Sequence, residues 1–344
     1  MMNSSFPSAF PDLRAVTTLP KSAFTSLELC AGAGGQALGL EQAGFDHAGL
    51  VEVDHHCCDT LRLNRPDWKV FEQDLHCFAA EEAPQFKGID LLAGGLPCPP
   101  FSVAGKQLGH NDERNLFPVA LDLVELLQPR AVMIENVRGF LDAVFEDYRK
   151  HLVSRFEGLG YHAEWRLLNA SDFGVPQLRP RVVIVALRND LRPFFSWPAV
   201  QEHNPPTVGE TLGDLMAAGR WPGARKWAKA ADEIAPTVVG GSKKHGGPDL
   251  GPTRAKRAWA TLGVDGLGIA DEPPGRDFVG TPRLTVRMVA RLQGFPDDWA
   301  FAGRKTAAYR QVGNAFPPPV ACAVASKIFQ ALEAASRTMT RLRV

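Results

Sequence analysis

The run Ser26-Leu27-Glu28-Leu29-Cys30-Ala31-Gly32-Ala33-Gly34-Gly35-Gln36-Ala37 decides the fold. An apolar strand, Ser26–Cys30, feeds a glycine loop, and a helix follows through Leu40. Glycines at such a junction let the backbone turn tightly and approach a ligand at a helix N-terminus. Gly32-x-Gly34-x-x-Ala37 also satisfies the dinucleotide pattern. The loop alone therefore separates neither a nicotinamide enzyme from one using S-adenosylmethionine (AdoMet), nor either from a purely structural turn.

Outward from that loop, short apolar runs alternate with amphipathic stretches up to about residue 190, the signature of βαβ units and a mostly parallel sheet. The expected strands are Ser26–Cys30, Gly49–Val53, Lys69–Glu72, Ile89–Ala93, Ala131–Glu135, Ala163–Asn169 and Arg181–Leu187, with helical spacing over Leu116–Leu127. The fold class is α/β: a doubly wound, mostly parallel, seven-stranded Rossmann-like sheet with a smaller irregular domain. From Pro193 to Pro274 prolines and glycines interrupt every long element. Apolar helical spacing returns through Val320, Val324, Ile328 and Leu332. The expected organisation is a loosely ordered leader over 1–20, a sheet domain over 21–190, an irregular domain over 191–305, and a closing helical segment over 306–344.

Composition narrows the function classes. The chain of 344 residues has 38 basic and 38 acidic side chains, so net charge gives no argument for a nucleic-acid partner. The basic charge is local: between 220 and 257, Arg220, Arg225, Lys226, Lys229, Lys243, Lys244, Arg254, Lys256 and Arg257 face only Asp232, Glu233 and Asp249. Such an excess suits phosphates, or is simply a solvated face. Six cysteines without a C-x-x-C pair exclude ready zinc or thioredoxin-like spacing and fit a reducing cytoplasm. No apolar run reaches bilayer length, so no membrane association is expected. No metal site is expected either.

Three further stretches carry chemistry. Glu52, at the end of the second strand, is placed to accept from ribose hydroxyls. Asp74 is read either as an adenine ligand or as a cap. Gly94-Gly95-Leu96-Pro97-Cys98-Pro99-Pro100 presents a thiol on a proline-bracketed loop, because prolines cannot continue a strand. Glu135 ends the strand after the one that leads to Cys98. In a sheet of order 3-2-1-4-5 those two strands lie side by side, next to the strand of the glycine loop. Gln177-Leu178-Arg179-Pro180-Arg181 adds two cations spaced to point the same way.

These residues resemble DNA (cytosine-5) methyltransferases, in the order of that family's motifs and over nearly the whole chain. The resemblance rests on Leu29–Gly35, Pro97-Cys98 with Phe101-Ser102, Arg114–Phe117, Glu135-Asn136-Val137, Gln177-x-Arg179-x-Arg181, Arg283–Pro296 and Tyr309–Ala315. It departs from the family at Cys30, where phenylalanine is commoner, at Pro99 in place of glutamine, and at Met288, where an acid is frequent. The resemblance implies an AdoMet-dependent enzyme with Cys98 as nucleophile, Glu135 at cytosine N3, and Arg181 at O2 with Arg179 and Gln177 supporting. It implies AdoMet contacts from Cys30, Ala31, Gly32, Ala33, Gly34, Gly35, Glu52, Val53, Asp74, Leu75, Pro97, Leu116, Asn314 and Ala315. Ser102, Gln177, Lys243, Lys244, Arg254, Lys256 and Arg257 are the expected DNA contacts. A thiol cannot reach C6 of a stacked base, so base flipping is implied as well. The expected partner is double-stranded DNA, bound by a monomer in a prokaryotic cytoplasm, with a restriction endonuclease acting on the same site. A tRNA cytosine methyltransferase and an NAD-dependent oxidoreductase are the alternatives. The second leaves Pro97-Cys98 and Glu135-Asn136 unexplained.

Overall fold

A computed structural model describes residues 24–97, 115–200, 204–240 and 248–341, with side chains to 338. The expected leader over 1–20 lies outside them. The chain divides into two compact units.

The larger unit comprises, among described residues, 24–169, 180–200 and 315–341. It contains strands β1 (Thr25–Leu29), β2 (Asp46–Glu52), β3 (Val70–Glu72), β4 (Leu91–Gly95), β5 (Ala131–Val137), β6 (Tyr161–Asn169) and β7 (Pro180–Arg188). Its helices include α1 (Gly35–Gln42), α2 (His55–Asn64), α3 (Leu75–Glu81), α4 (Phe117–Leu127) and α5 (Glu146–Gly158). The seven strands form one sheet in the order β3-β2-β1-β4-β5-β7-β6. The expected 3-2-1-4-5 half is present and parallel, while β7 inserts antiparallel between β5 and β6. Helices bury both faces, so the central strands are near-continuous apolar runs; Leu91, Ala131, Val132 and Met133 are fully buried.

The smaller unit comprises 170–179 and 204–314 among described residues. It is built from α6 (Val208–Ala217), α7 (Ala224–Ala230), α8 (Thr253–Thr261), α9 (Val286–Leu292) and α10 (Lys305–Asn314). The chain then returns to the sheet unit as α11 (Pro318–Arg341), which buries Val320, Val324, Ile328 and Leu332. Gly39 makes the α1–α11 contact possible, because a Cβ there would lie 2.5 Å from Ala321 Cβ and 2.6 Å from Pro318 O. The boundaries thus differ from those expected at 190 and 305. Residues 170–179 belong with the smaller unit because Ala235 exchanges backbone hydrogen bonds with this segment, donating to Pro176 O and accepting from Leu178 N. Residues 191–200 stay with the sheet.

Within the sheet unit a polar cluster ties α1 to the strands beneath it. His47 on β2 accepts from or donates to Ser26 Oγ at 2.9 Å and contacts Ala37 O at 3.0 Å. The carbonyl can only accept, so Nε2 carries the proton and Nδ1 receives the serine hydroxyl. Burial lowers the His47 pKa from 6.5 to about 4. Glu28, on β1, accepts from the Ala37 amide and is held well above the usual carboxylate range, first by burial and then by Glu52.

The pH dependence follows in sign. As pH falls through 6.5 the unfolded chain takes up a proton that buried His47 refuses, so this contribution to stability is complete above 6.5 and is lost toward pH 4, by about 3 kcal/mol. Glu28 slopes the opposite way above pH 4.5, so wild type and variant are compared at each pH. In urea unfolding, His47→Gln is less stable than wild type at pH 7, and the difference narrows steadily toward pH 4. Parallel stability profiles contradict this.

Candidate active site

The parallel register of three strands builds the site. β1 pairs with β4 with Leu29 opposite Gly94, and β4 pairs with β5 with Gly95 opposite Glu135. The C-terminal ends of β1, β4 and β5 therefore lie in a row, the position where open α/β sheets bind ligands. At Gly95 an added Cβ would lie 3.7 Å from Glu135 Oε2 and 3.8 Å from Cys30 O. The glycine loop, the acid and the strand leading to Cys98 thus meet at one point. Cys98 itself lies outside the described residues, as do Ser102, Lys243 and Lys244; the chain before Cys98 is described to exposed Pro97.

Glu135 is 7% exposed and would be costly to bury alone. Arg181 answers it, its Nε 2.7 Å from Glu135 Oε1, and also donates through Nη1 to Pro180 O at 2.8 Å. The antiparallel pairing explains the contact. Arg181 stands opposite Val137 and Glu135 opposite Val183, which puts the two side chains diagonally on one face of the sheet. Next to the acid, Asn136 is fully buried, and its Oδ1 accepts from Val137 N at 2.9 Å.

Arg179 goes elsewhere, and the expectation that the two arginines share a pocket is corrected. Arg179 precedes β7, so strand alternation does not govern it. Its side chain is 1% exposed, donating through Nη1 to Val238 O at 2.5 Å and through Nη2 to Gly313 O at 2.9 Å. Gln177 is likewise buried and not presented to DNA. Its amide donates to Leu292 O and Gln293 Oε1 and accepts from Val238 N.

The loop after β1 has the shape of a ligand cradle. Cys30, Gly32 and Gly34 all adopt positive φ, at 53°, 55° and 85°. For Cys30 this is an uncommon conformation, which glycine adopts without penalty. Burial, with Glu52, Asp74 and Glu28 nearby, raises the Cys30 pKa well above that of a free thiol, which keeps the thiol protonated. Ala31, Ala33, Gly34 and Gly35 are buried, and Gly34 caps α1. A Cβ on Gly32 would meet nothing within 4 Å, so the loop opens onto space. Glu52 Oε2 accepts from Gly32 N at 2.7 Å, and Oε1 accepts from Val53 N at 2.8 Å and Asp54 N at 2.7 Å. Three amides thus fix an acceptor at the β2 end. Beside it Val53 is 68% exposed.

Other expected ligands are more ordinary. Asp74 caps α3, its Oδ1 accepting from His76 N at 2.8 Å, and Leu75 is buried as the first residue of that helix. Leu116 caps α4 and packs against the sheet core, and Ala315 is buried. Asn314 is exposed in the smaller unit, beside Gly240. Lys256 is committed to Asp249 at 2.6 Å, while Arg254 and Arg257 project from α8 and are exposed. Met288 explains its own departure from the pattern. The capping box of α9 keeps its geometry, with Thr285 N donating to Met288 Sδ at 3.4 Å and Met288 N donating to Thr285 Oγ1 at 3.3 Å. Sequence reasoning missed Gly95 and Gln293; the signal for Gly95 was a Gly-Gly pair too close to the loop to be read as strand.

The sequence profile of C-5 cytosine-specific DNA methylases matches residues 24–330. The chain belongs to this family. Type II methyltransferase M.NaeI from Lentzea aerocolonigenes is 58% identical over 309 residues, covering 89% of this chain and 75% of that one. Type II methyltransferase M.NgoMIV from Neisseria gonorrhoeae is 55% identical over 313 residues, covering 90% and 98%. Among solved structures, S. pombe Dnmt2 methyltransferase superposes with a TM-score of 0.59 at 19% identity, covering 90% of this chain and 99% of that one, a likeness of fold. The family methylates cytosine C5 in DNA and uses AdoMet, which sets the oxidoreductase alternative aside.

The Glu135–Arg181 pair gives a direct test. Arg181→Leu leaves a buried carboxylate without its guanidinium and lowers stability by about 3 kcal/mol, whereas Arg181→Leu with Glu135→Gln recovers most of that loss. Urea unfolding of the two variants checks it, and equal losses contradict it.

Proposed function

We propose that the chain methylates C5 of a flipped-out cytosine within a short duplex DNA sequence, through a covalent bond from Cys98 to C6, as the modification half of a restriction-modification system. The meeting of the glycine loop, Glu135 and the Cys98 strand at Gly95 supports this reading most strongly.

The residues at the sheet's edge suit AdoMet. Glu52 offers carboxylate acceptors to ribose hydroxyls, Val53 and Cys30 give apolar walls for a purine, and Gly32 leaves room for close backbone approach. When bound, AdoMet supplies an electrophilic methyl on a sulfonium. Cytosine C5 is too poor a nucleophile to take it unaided. The Cys98 thiolate adds its electron pair to C6, which makes C5 enamine-like, while Glu135 meets N3 so that charge does not build on the ring. Arg181, anchored to Glu135, presents a cation to O2. After methyl transfer the C5 proton leaves to a base and the C6–sulfur bond breaks, restoring the aromatic ring and the free thiolate.

The smaller unit would read the sequence, with exposed Arg254 and Arg257 contacting phosphates. This reading places the enzyme in the cytoplasm, acting as a monomer on DNA it shares with a cognate endonuclease. The M.NaeI and M.NgoMIV relatives are type II methyltransferases, which favours that role.

Transfer of tritium from methyl-labelled AdoMet to genomic DNA tests the activity, and bisulfite sequencing of DNA from expressing cells gives the recognised word. Cys98→Ala abolishes transfer while AdoMet binding by calorimetry persists. Glu135→Gln lowers kcat by about 10²–10⁴-fold. Transfer by Cys98→Ala, or a wild-type rate for Glu135→Gln, overturns the assignments.

A further inference from the structure

Three segments of the smaller unit cross at Arg179. The segment before β7 supplies Gln177, Leu178 and Arg179; the segment after α7 supplies 235–240; the end of α10 supplies Val312, Gly313 and Asn314. Gln177 accepts from Val238 N at 2.8 Å, and Arg179 takes the carbonyl of the same residue. Thr237 Oγ1 donates to Leu178 O. Gln293, fully buried, joins the third segment by donating to Val312 O at 2.8 Å, and receives the Gln177 amide at 2.6 Å. Arg179 closes the circuit on Gly313 O.

Two glycines show how closely the backbones meet. A Cβ on Gly313 would overlap Gly240 Cα and N, and a Cβ on Gly240 would overlap Asn314 Oδ1 and lie 2.7 Å from Arg310 O. The stretch from Thr237 to Gly240 is therefore held from both sides and has one position relative to α10. A buried guanidinium donating to two carbonyls is a strong fixing element, since hydrogen bonds from charged donors are roughly twice as strong as neutral ones.

We propose that Arg179 is a positioning residue for DNA engagement: by clamping Val238 O and Gly313 O it sets the placement of the Thr237–Gly240 stretch against α10, and it does not touch the target cytosine. This rests on the DNA-methyltransferase reading. The two hypotheses make opposite forecasts. A base-contacting arginine loses its importance once the base is gone, whereas a positioning residue matters equally with and without it.

The test uses the full chain and a duplex carrying the site found by bisulfite sequencing, alongside the same duplex with an abasic target position. Arg179→Lys and Arg179→Met raise the DNA dissociation constant about tenfold or more, by the same factor on both duplexes. They raise KM for DNA by a similar factor while kcat at saturating DNA and AdoMet affinity stay within a few-fold of wild type. Gly240→Ala, which strains the same crossing without altering the arginine, reproduces the equal loss of binding on both duplexes and serves where the Arg179 variants fold poorly. A binding defect that vanishes on the abasic duplex, or a fall in kcat with unchanged KM, overturns the proposal. Absence of methyl transfer by the wild-type chain to any DNA would instead remove the reading beneath it, a separate outcome.

Discussion

Everything at the site depends on the parallel register of β4 between β1 and β5. Gly95 opposite Glu135 and Gly94 opposite Leu29 fix where three strand ends stop. A slip of one residue would turn the acid to the other face of the sheet. The glycines at the end of β4 are part of the same constraint. A Cβ on Gly94 would lie 3.1 Å from Leu29 O, tighter than ordinary packing allows, and one on Gly95 would fill the space between Cys30 O and the Glu135 carboxylate. Gly94 is crowded by Leu29 O, whereas Gly95 leaves open room between Cys30 O and the acid.

Charge is distributed on this frame according to burial. Glu135 is tolerable in a nearly dry position because Arg181 reaches it diagonally across an antiparallel pair. Glu52 is held by three backbone amides instead of a cation, which fixes its direction and leaves it an acceptor. Arg179 is buried as deeply as either and spends its donors on carbonyls. Three charged groups thus do three different things, and their partners, not their motif positions, distinguish them.

Much of this was legible in the sequence. All seven strands lie where period and composition put them, to within about three residues at their ends, because short apolar runs bounded by turn residues leave few alternatives for a strand. The adjacency of Glu135 to the Cys98 strand followed from the doubly wound order. The antiparallel insertion of β7 did not, since hydrophobic runs carry no information on neighbour or direction. Arg179 and Arg181 were read as a pair from a spacing of two, a rule that holds inside a strand and fails at Arg179, which precedes it. Gln177 and Lys256 looked available because a sequence does not show Gln293 or Asp249 waiting as partners. The sulfur of Met288 standing in for a capping carboxylate was equally invisible, since methionine is ordinarily a packing residue.

In the proposed mechanism the strand ending at Gly95 delivers a nucleophile to the ring beside Glu135. Duplex DNA with 5-fluorocytosine at the target position tests it most directly, because a base can remove a proton from C5 but not a fluorine, so the adduct cannot resolve. With AdoMet present, a protein–DNA complex stable to denaturation is expected, and its digestion places the nucleotide on Cys98. A complex absent under conditions where the unmodified duplex is methylated, or mapped to a cysteine other than Cys98, would contradict it.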